Sequence, residues 1–147
     1  MSRFVIDASV AVKWVVSEPD SDDAEALLDS HSFVAPDLIV AECANILWKK
    51  VRRGQLSVDD AIGAAQTLQS ADIELRPMNS LIVAAIRMAV TLGHPAYDCF
   101  YLALAREQTC PFVTADVALV RKVASSETAS SITVLALREA AKPPLPR

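Results

Sequence analysis

Phe4-Val5-Ile6-Asp7-Ala8-Ser9 is the stretch around which the rest of the chain is organised. Three apolar residues without polar alternation are typical of a strand that is buried on both faces, as in the middle of a parallel sheet. Asp7 then falls at the carboxyl end of this strand, where open α/β sheets have their ligand crevices. Ser9 is positioned to cap the helix that the following apolar residues predict. On this stretch alone, Asp7 is either an ordinary turn residue or part of a site.

The composition is that of one globular domain. Of 147 residues, 52% are hydrophobic and only three are glycine, which suits a packed core rather than disorder. The formal charge is −4, from 18 acidic and 14 basic residues. If four acidic residues bound a cation, the others would balance the basic ones. The net charge therefore neither favours nor excludes a polyanionic substrate.

Cysteine use and hydropathy favour the cytoplasm. The three cysteines form no C-x-x-C pair and, with the two histidines, offer no close pair of zinc ligands. Scattered thiols suit a reducing compartment. Asp7 interrupts the first apolar run, so no signal peptide is expected, and no uncharged stretch approaches the ~18 residues of a membrane span. We therefore expect a cytoplasmic protein without a membrane partner.

Alternating strand and helix patterns predict an α/β domain. After the first strand, strands are predicted at residues 32–36, 73–77, 111–114 and 130–135. Right-handed crossovers then give a five-stranded, mainly parallel sheet with helices on both faces. The third strand alternates as edge strands do, and the first is apolar throughout, so the expected order is 3-2-1-4-5. The domain is expected to span residues 1–137, with 138–147 as a mobile tail.

Three further acidic residues are placed to join Asp7. Glu42 lies in an otherwise apolar part of the predicted helix 38–53, so it is either in a buried salt bridge or an inward-facing ligand. Asp98 falls in the first turn of a predicted helix, and Asp116 follows a strand as Asp7 does. All four positions belong to one sheet edge, where close carboxylates need cations. Oxygen ligands alone suit Mg²⁺ or Mn²⁺, which mostly serve phosphate chemistry.

Four motifs occur in order along nearly the whole chain, to about Leu135. They are Asp7-Ala8-Ser9-Val10 with Trp14, Pro36-x-Leu38-x-x-x-Glu42-x-x-Asn45, Tyr97-Asp98-x-x-Tyr101-x-x-Leu104-Ala105 and Thr114-Ala115-Asp116-x-x-Leu119. Each motif is weak alone. In this order and at these spacings, they resemble the PIN domain family, and in particular the VapC toxins of bacterial toxin–antitoxin pairs.

The resemblance implies a metal-dependent endoribonuclease that acts as the toxin of a type II toxin–antitoxin pair. The implied catalytic and metal-binding quartet is Asp7, Glu42 (directly or through water), Asp98 and Asp116, and the implied supporting polar residues are Ser9, Asn45 and Thr114. The resemblance also implies Mg²⁺ or Mn²⁺ as cofactor, RNA as substrate, a cognate antitoxin and a homodimer. Some family members carry another acidic residue after the last ligand. Val117 and Ala118 stand there in this chain, which leaves a second metal with fewer ligands.

Other readings of strand-end aspartates fit the sequence less well. A haloacid-dehalogenase-type phosphatase needs an aspartate at position 9, which is Ser9 here. A response-regulator receiver needs a lysine at the end of the last strand, and residues 132–137 contain none. The alternative from a different class is a PIN fold that binds RNA or a partner without cutting. Four retained acids argue against it, because a scaffold gains nothing from their repulsion.

The apolar surface of several helices favours the homodimer independently. The helical stretch Leu38–Trp48 is apolar around most of its circumference, more than one sheet face needs. Further candidate surface residues are Ala64, Ala65, Leu68, Leu81, Ile82 and Ala85.

Overall fold

The apolar runs of the sequence form the strands of one sheet in the computed structural model, which describes residues 2–127, 129 and 131–143. The strands are β1 Ser2–Ile6, β2 His31–Pro36, β3 Ile73–Arg76, β4 Phe112–Thr114 and β5 Val134–Ala136. Their order is β3-β2-β1-β4-β5, and all four pairings are parallel. The predicted fold class and strand order are thus confirmed.

Strand β1 lies at the centre of the sheet, as its apolar sequence predicts. Val5 is in register with Val34 on one side and with Phe112 on the other. All three side chains are fully buried. Because β1 has a partner at each edge and helices around it, its carboxyl end opens at the middle of the molecule.

Helices connect and cover the strands. They are α1 Ala8–Ala11, α2 Ser21–Ala26, α3 Leu38–Arg52, α4 Val58–Gln69, α5 Ile82–Leu92, α6 Ala96–Gln108, α7 Val117–Ala124 and α8 Leu137–Ala141. Short 3₁₀ turns follow α1 and precede α5. Helix α6 packs on β1 and β2, and α3 packs between α1 and α4. These contacts bring the starts of α3 and α6 to the edge where β1 ends.

Several sequence-based details differ from the structure. Strand β5 begins at Val134 rather than at residue 130, which lies outside the described residues. The predicted tail from residue 138 begins inside α8, whose Leu137 is buried. The domain boundary and the mobility of the tail stay predictions, and residues 144–147 lie outside the described part of the chain. Among the described residues, no single helix has the length and apolarity that a bilayer crossing requires. Segments Met78–Leu92 and Ala96–Gln108 meet that test only together, across a 115° bend.

Part of the expected dimer surface belongs to the core. Ala64, Leu81 and Ala85 are buried, because they face neighbouring elements rather than solvent. Ile82 is exposed. The prediction of these three as surface residues is wrong, whereas the homodimer itself stays a prediction.

Candidate active site

Asp7 ends the central strand and caps the helix that follows it. Its Oδ1 atom accepts hydrogen bonds from the backbone N–H of Val10 at 3.3 Å and from the Ser9 hydroxyl at 2.5 Å. Its Oδ2 atom accepts one from the Thr114 hydroxyl at 2.6 Å. The helix cap is therefore Asp7, and the expectation that Ser9 would provide it is wrong. Asp7 is only 7% exposed, and these three hydrogen bonds define the position of its carboxyl group.

Two hydroxyl groups join the end of β1 to the end of β4. Ser9 Oγ accepts from the backbone N–H of Ala115 at 3.1 Å while donating to Asp7. Thr114 Oγ1 accepts from the backbone N–H of Asp116 at 3.1 Å while donating to Asp7. Asp116 in turn caps α7, accepting from the Leu119 N–H at 3.1 Å. Asp7 and Asp116 thus lie on neighbouring strand ends at one sheet edge.

Glu42 projects from the second turn of α3 and accepts a hydrogen bond from the hydroxyl of Tyr101 on α6. Burial, and then the negative charge of Asp98, raise the pKa of Glu42. Burial together with the hydrogen bond to Glu42 raises the pKa of Tyr101, so this phenol stays a donor. Among the described residues, Glu42 has no salt bridge, so the salt-bridge interpretation of this residue is wrong. Its role as a metal ligand stays a prediction.

Asp98 lies in the first turn of α6, and its charge acts on Asp7 and Glu42. Its negative charge raises the pKa of both Asp7 and Glu42. Its Oδ2 atom lies 2.5 Å from Nε2 of His94. The pKa of Asp7 is raised to about 6, mainly because burial disfavours the charged form. In the described part of the chain, no ion pair involves Asp7, Glu42 or Asp116.

The donor chemistry suits a divalent cation, although the side chains do not enclose one as they stand. Within the described residues, no three acidic, histidine or cysteine side chains are close enough to hold a metal ion. The negative charge of Asp98 nevertheless opposes ionisation of both Asp7 and Glu42, and a hard cation would relieve that repulsion. Asn45 lies one turn beyond Glu42 on α3 and is exposed. No hydrogen bond from it to these acids is present in the described structure.

Three residues that lie around the acids were missed in the sequence analysis. Tyr101 appeared only as a motif position, yet its hydroxyl holds Glu42 across a separation of 59 residues. His94 contacts Asp98, and Lys122 in turn contacts His94. His94 stands four residues before Asp98 but precedes the first residue of α6, so the i, i+4 rule for helices gave no signal for this contact.

A parallel α/β domain with carboxylates at the end of its central strand is the architecture of a known class. The PIN domain family model matches residues 4–125, and the chain belongs to this family. It is 31% identical to Ribonuclease VapC3 of Pyrobaculum aerophilum over 123 residues, which are 82% of this chain and 94% of the relative.

Solved structures share the fold at lower identity. VapBC2 of Rickettsia felis, crystallised with a DNA fragment from its promoter, is 10% identical with a TM-score of 0.63, over 91% of this chain and 98% of that chain. VapC20 of Mycobacterium tuberculosis, described as a sarcin–ricin loop cleaving toxin, is 15% identical with a TM-score of 0.60. That match covers 76% of this chain and 87% of that chain. At these identities the likeness concerns the fold.

Proposed function

We propose that this protein is an Mg²⁺- or Mn²⁺-dependent endoribonuclease, acting as the toxin of a type II toxin–antitoxin pair. The observation that carries the proposal is the buried Asp7 carboxyl beside Asp98, with a pKa raised to about 6 and no ion pair in the described structure. A site of this kind stores repulsion that a hard cation relieves. Membership of the PIN domain family, with a VapC ribonuclease as a relative, directs this chemistry to RNA.

The acids have different roles in this proposal. Asp7, Asp98 and Asp116 would hold the cation, which when bound lowers the pKa of water and neutralises charge on the phosphate. Glu42, held by Tyr101, orients the attacking water. In-line attack on a phosphodiester leaves a 5′-phosphate and a 3′-hydroxyl, because the 2′-hydroxyl of the RNA is not the nucleophile.

The polar neighbours position these acids. Ser9 and Thr114 each donate to one oxygen of Asp7, so both oxygens have fixed directions. Each hydroxyl also accepts a backbone N–H from the β4–α7 turn, which fixes the distance between the two strand ends. Asn45, exposed one turn beyond Glu42, is free to meet the substrate rather than the acids.

We further propose a cytoplasmic homodimer that is inhibited by a cognate antitoxin. An apolar groove of about 630 Å³ runs between α3, α4 and β3 and reaches Cys43, the neighbour of Glu42. An antitoxin segment in this groove would place a lysine or arginine beside the acids, where charge-assisted pairing is strong. Exposed apolar residues of α5 provide a separate surface for a second copy.

Cleavage of total cellular RNA tests the proposed activity. Asp7→Asn keeps the shape of the side chain but removes a charge that the cation needs. We expect it to lower the cleavage rate at least about a hundredfold, as loss of a few kcal/mol of stabilisation would. EDTA should lower the cleavage rate of the wild type in the same way, and added Mn²⁺ or Mg²⁺ should restore cleavage. Sequencing the fragment ends should find 5′-phosphates.

Asp72→Asn is the matched control, because Asp72 is an exposed carboxylate away from the site. It should cleave as the wild type does. Cleavage that survives both Asp7→Asn and EDTA, or fragments ending in 2′,3′-cyclic phosphate, would contradict the mechanism. RNA binding without any cleavage by the wild type would favour the silent binding module instead.

A further inference from the structure

The imidazole ring of His94 lies between Asp98 and Lys122. Its Nε2 atom is 2.5 Å from Oδ2 of Asp98, and its Nδ1 atom is 3.3 Å from Nζ of Lys122. The same Nζ donates to the backbone carbonyl of Gly93 at 3.0 Å. His94 is 17% exposed and Asp98 is 31% exposed, so the three side chains form a half-buried chain of hydrogen bonds that leads to the acidic site.

Hydrogen-bond chemistry fixes the tautomer of this ring. A lysine ammonium only donates, so Nδ1 of His94 must be the acceptor. The ring hydrogen is then on Nε2, which donates to Asp98. Lys122 thereby selects the tautomer in which the imidazole holds one oxygen of the carboxylate and leaves the other available.

The backbone is shaped to make this arrangement. Gly93 ends α5 with φ of 61°, a left-handed conformation that glycine adopts at little cost. The turn presents both the Gly93 carbonyl and the His94 ring to Lys122. Lys122 is on α7, the helix that Asp116 caps. The chain of hydrogen bonds therefore ties the helix of Asp116 to the helix of Asp98.

We propose that His94, oriented by Lys122, is a positioning residue that holds Asp98 as a metal ligand. This inference rests on the proposed function. Partners that hydrogen-bond to a ligating side chain fix its direction and typically account for about 10–100-fold in metal affinity. The ring also keeps the lysine charge at a distance. In the described structure Lys122 contacts the ring and forms no ion pair with Asp98.

Calorimetric titration of the metal-free protein with Mn²⁺ tests the inference without RNA. We expect His94→Ala to weaken Mn²⁺ binding about 10–100-fold. His94→Gln should restore most of the loss, because its amide N–H can donate at the place of Nε2. Lys122→Met should weaken binding less than His94→Ala, since the ring remains but its tautomer is no longer selected. Arg121→Met, at the exposed neighbouring position of α7, should bind as the wild type does.

The Asp98→Asn background separates positioning from a general structural effect. There, adding His94→Ala should not weaken Mn²⁺ binding further, because the group that His94 positions has lost its charge. Equal losses in both backgrounds, or a His94→Ala protein that binds Mn²⁺ like the wild type, would overturn the inference. If the wild type cleaves RNA with metal while His94→Ala is unaffected, only this inference fails. A wild type that neither binds Mn²⁺ nor cleaves RNA would overturn the proposed function and this inference together.

Discussion

The carboxyl group of Asp7 is buried at the end of the central strand and accepts hydrogen bonds from Ser9, Val10 and Thr114. These bonds favour its charged form, while burial and the charge of Asp98 oppose it. Burial has the largest effect, and the pKa of Asp7 rises from 3.8 to about 6. A residue that costs stability in this way is typical of a site rather than of a scaffold.

The raised pKa predicts how the stability of the metal-free protein depends on pH. Folded Asp7 binds its proton more tightly than the unfolded chain does, so Asp7 destabilises the fold progressively as pH rises from about 4 to about 6. Asp7→Asn has no such dependence. The free energy of unfolding of Asp7→Asn relative to wild type should therefore increase by about 2 kcal/mol between pH 4 and pH 7.5. Urea unfolding in EDTA at both values measures this change.

Asp72→Asn supplies the comparison for this experiment. At pH 7.5 this substitution should change the free energy of unfolding less than Asp7→Asn does, because Asp72 is exposed. If the free energies of unfolding of Asp7→Asn and wild type change with pH in parallel, the Asp7 carboxyl group is not in a buried environment that raises its pKa.

Single residues also show what the sequence can reveal. Glu42 was recognisable because a carboxylate in an apolar helix violates the usual pattern. Its partner Tyr101 was not, because a contact between residues 59 positions apart depends on how two helices pack. Ser9 was mistaken for the helix cap because Asp7 and Ser9 both have capping side chains. Local preference cannot choose between them, whereas the start of α1 at Ala8 does.

Helices and strands were predictable where one physical pattern dominates. Strand β1 has an uninterrupted apolar run, and α4 has a capping serine, Ser57, whose hydroxyl accepts from the backbone N–H of Asp60 at 3.0 Å. The start of strand β5 was predicted too early because residues 130–135 include both polar and apolar side chains. Only the pairing of β5 with β4 fixes where the strand begins. The sequence of α5 alone also could not predict which of its apolar faces is buried, since Ala85 packs in the core and Ile86 does not.

Helix α5 carries the apolar stripe that best suits a homodimer. Ile82, Ile86 and Val90 recur at intervals of four and are 48%, 53% and 78% exposed, with Val83 beside them at 58%. An exposed apolar stripe of this kind is a candidate interaction surface. We expect light scattering at micromolar concentration to give twice the 15.8 kDa of one chain. Ile86→Glu should shift the protein to a monomer, because it buries a charge at the centre of the stripe.

Val58→Glu is the control, as Val58 is 64% exposed on α4 and lies outside the stripe. It should remain dimeric. A wild type that is monomeric at micromolar concentration would contradict the dimer. A dimer that survives Ile86→Glu would move its interface away from α5.

At the scale of the whole molecule, the acidic site and the apolar groove adjoin. The groove runs from Ala11 of α1 and Cys43 of α3 to Leu75 of β3. Burial, and then the charges of Glu42 and Asp7, raise the pKa of the Cys43 thiol, so this end of the groove lies near two of the acids. We therefore expect one bound segment to contact both. This contiguity is a property of the assembled sheet, since the lining residues come from four separate parts of the sequence, and no local pattern predicts it.

The partner that fits this surface has an apolar helix for the groove and a basic residue for the acids. We expect the product of a gene adjacent to the one encoding this chain to co-purify with it and to block RNA cleavage. Ile62→Asp places a charge in the groove and should weaken binding of that partner at least tenfold while leaving the cleavage of RNA by the isolated protein unchanged.

Val58→Asp is the control. Val58 lies one turn earlier on α4 and outside the groove lining, and its substitution should leave binding of the partner intact, because a charge there stays in water. If neither neighbouring gene product binds, or if Ile62→Asp and Val58→Asp are captured equally well, the groove is not the antitoxin site. Loss of RNA cleavage in Ile62→Asp would instead indicate that the groove supports the acidic site directly.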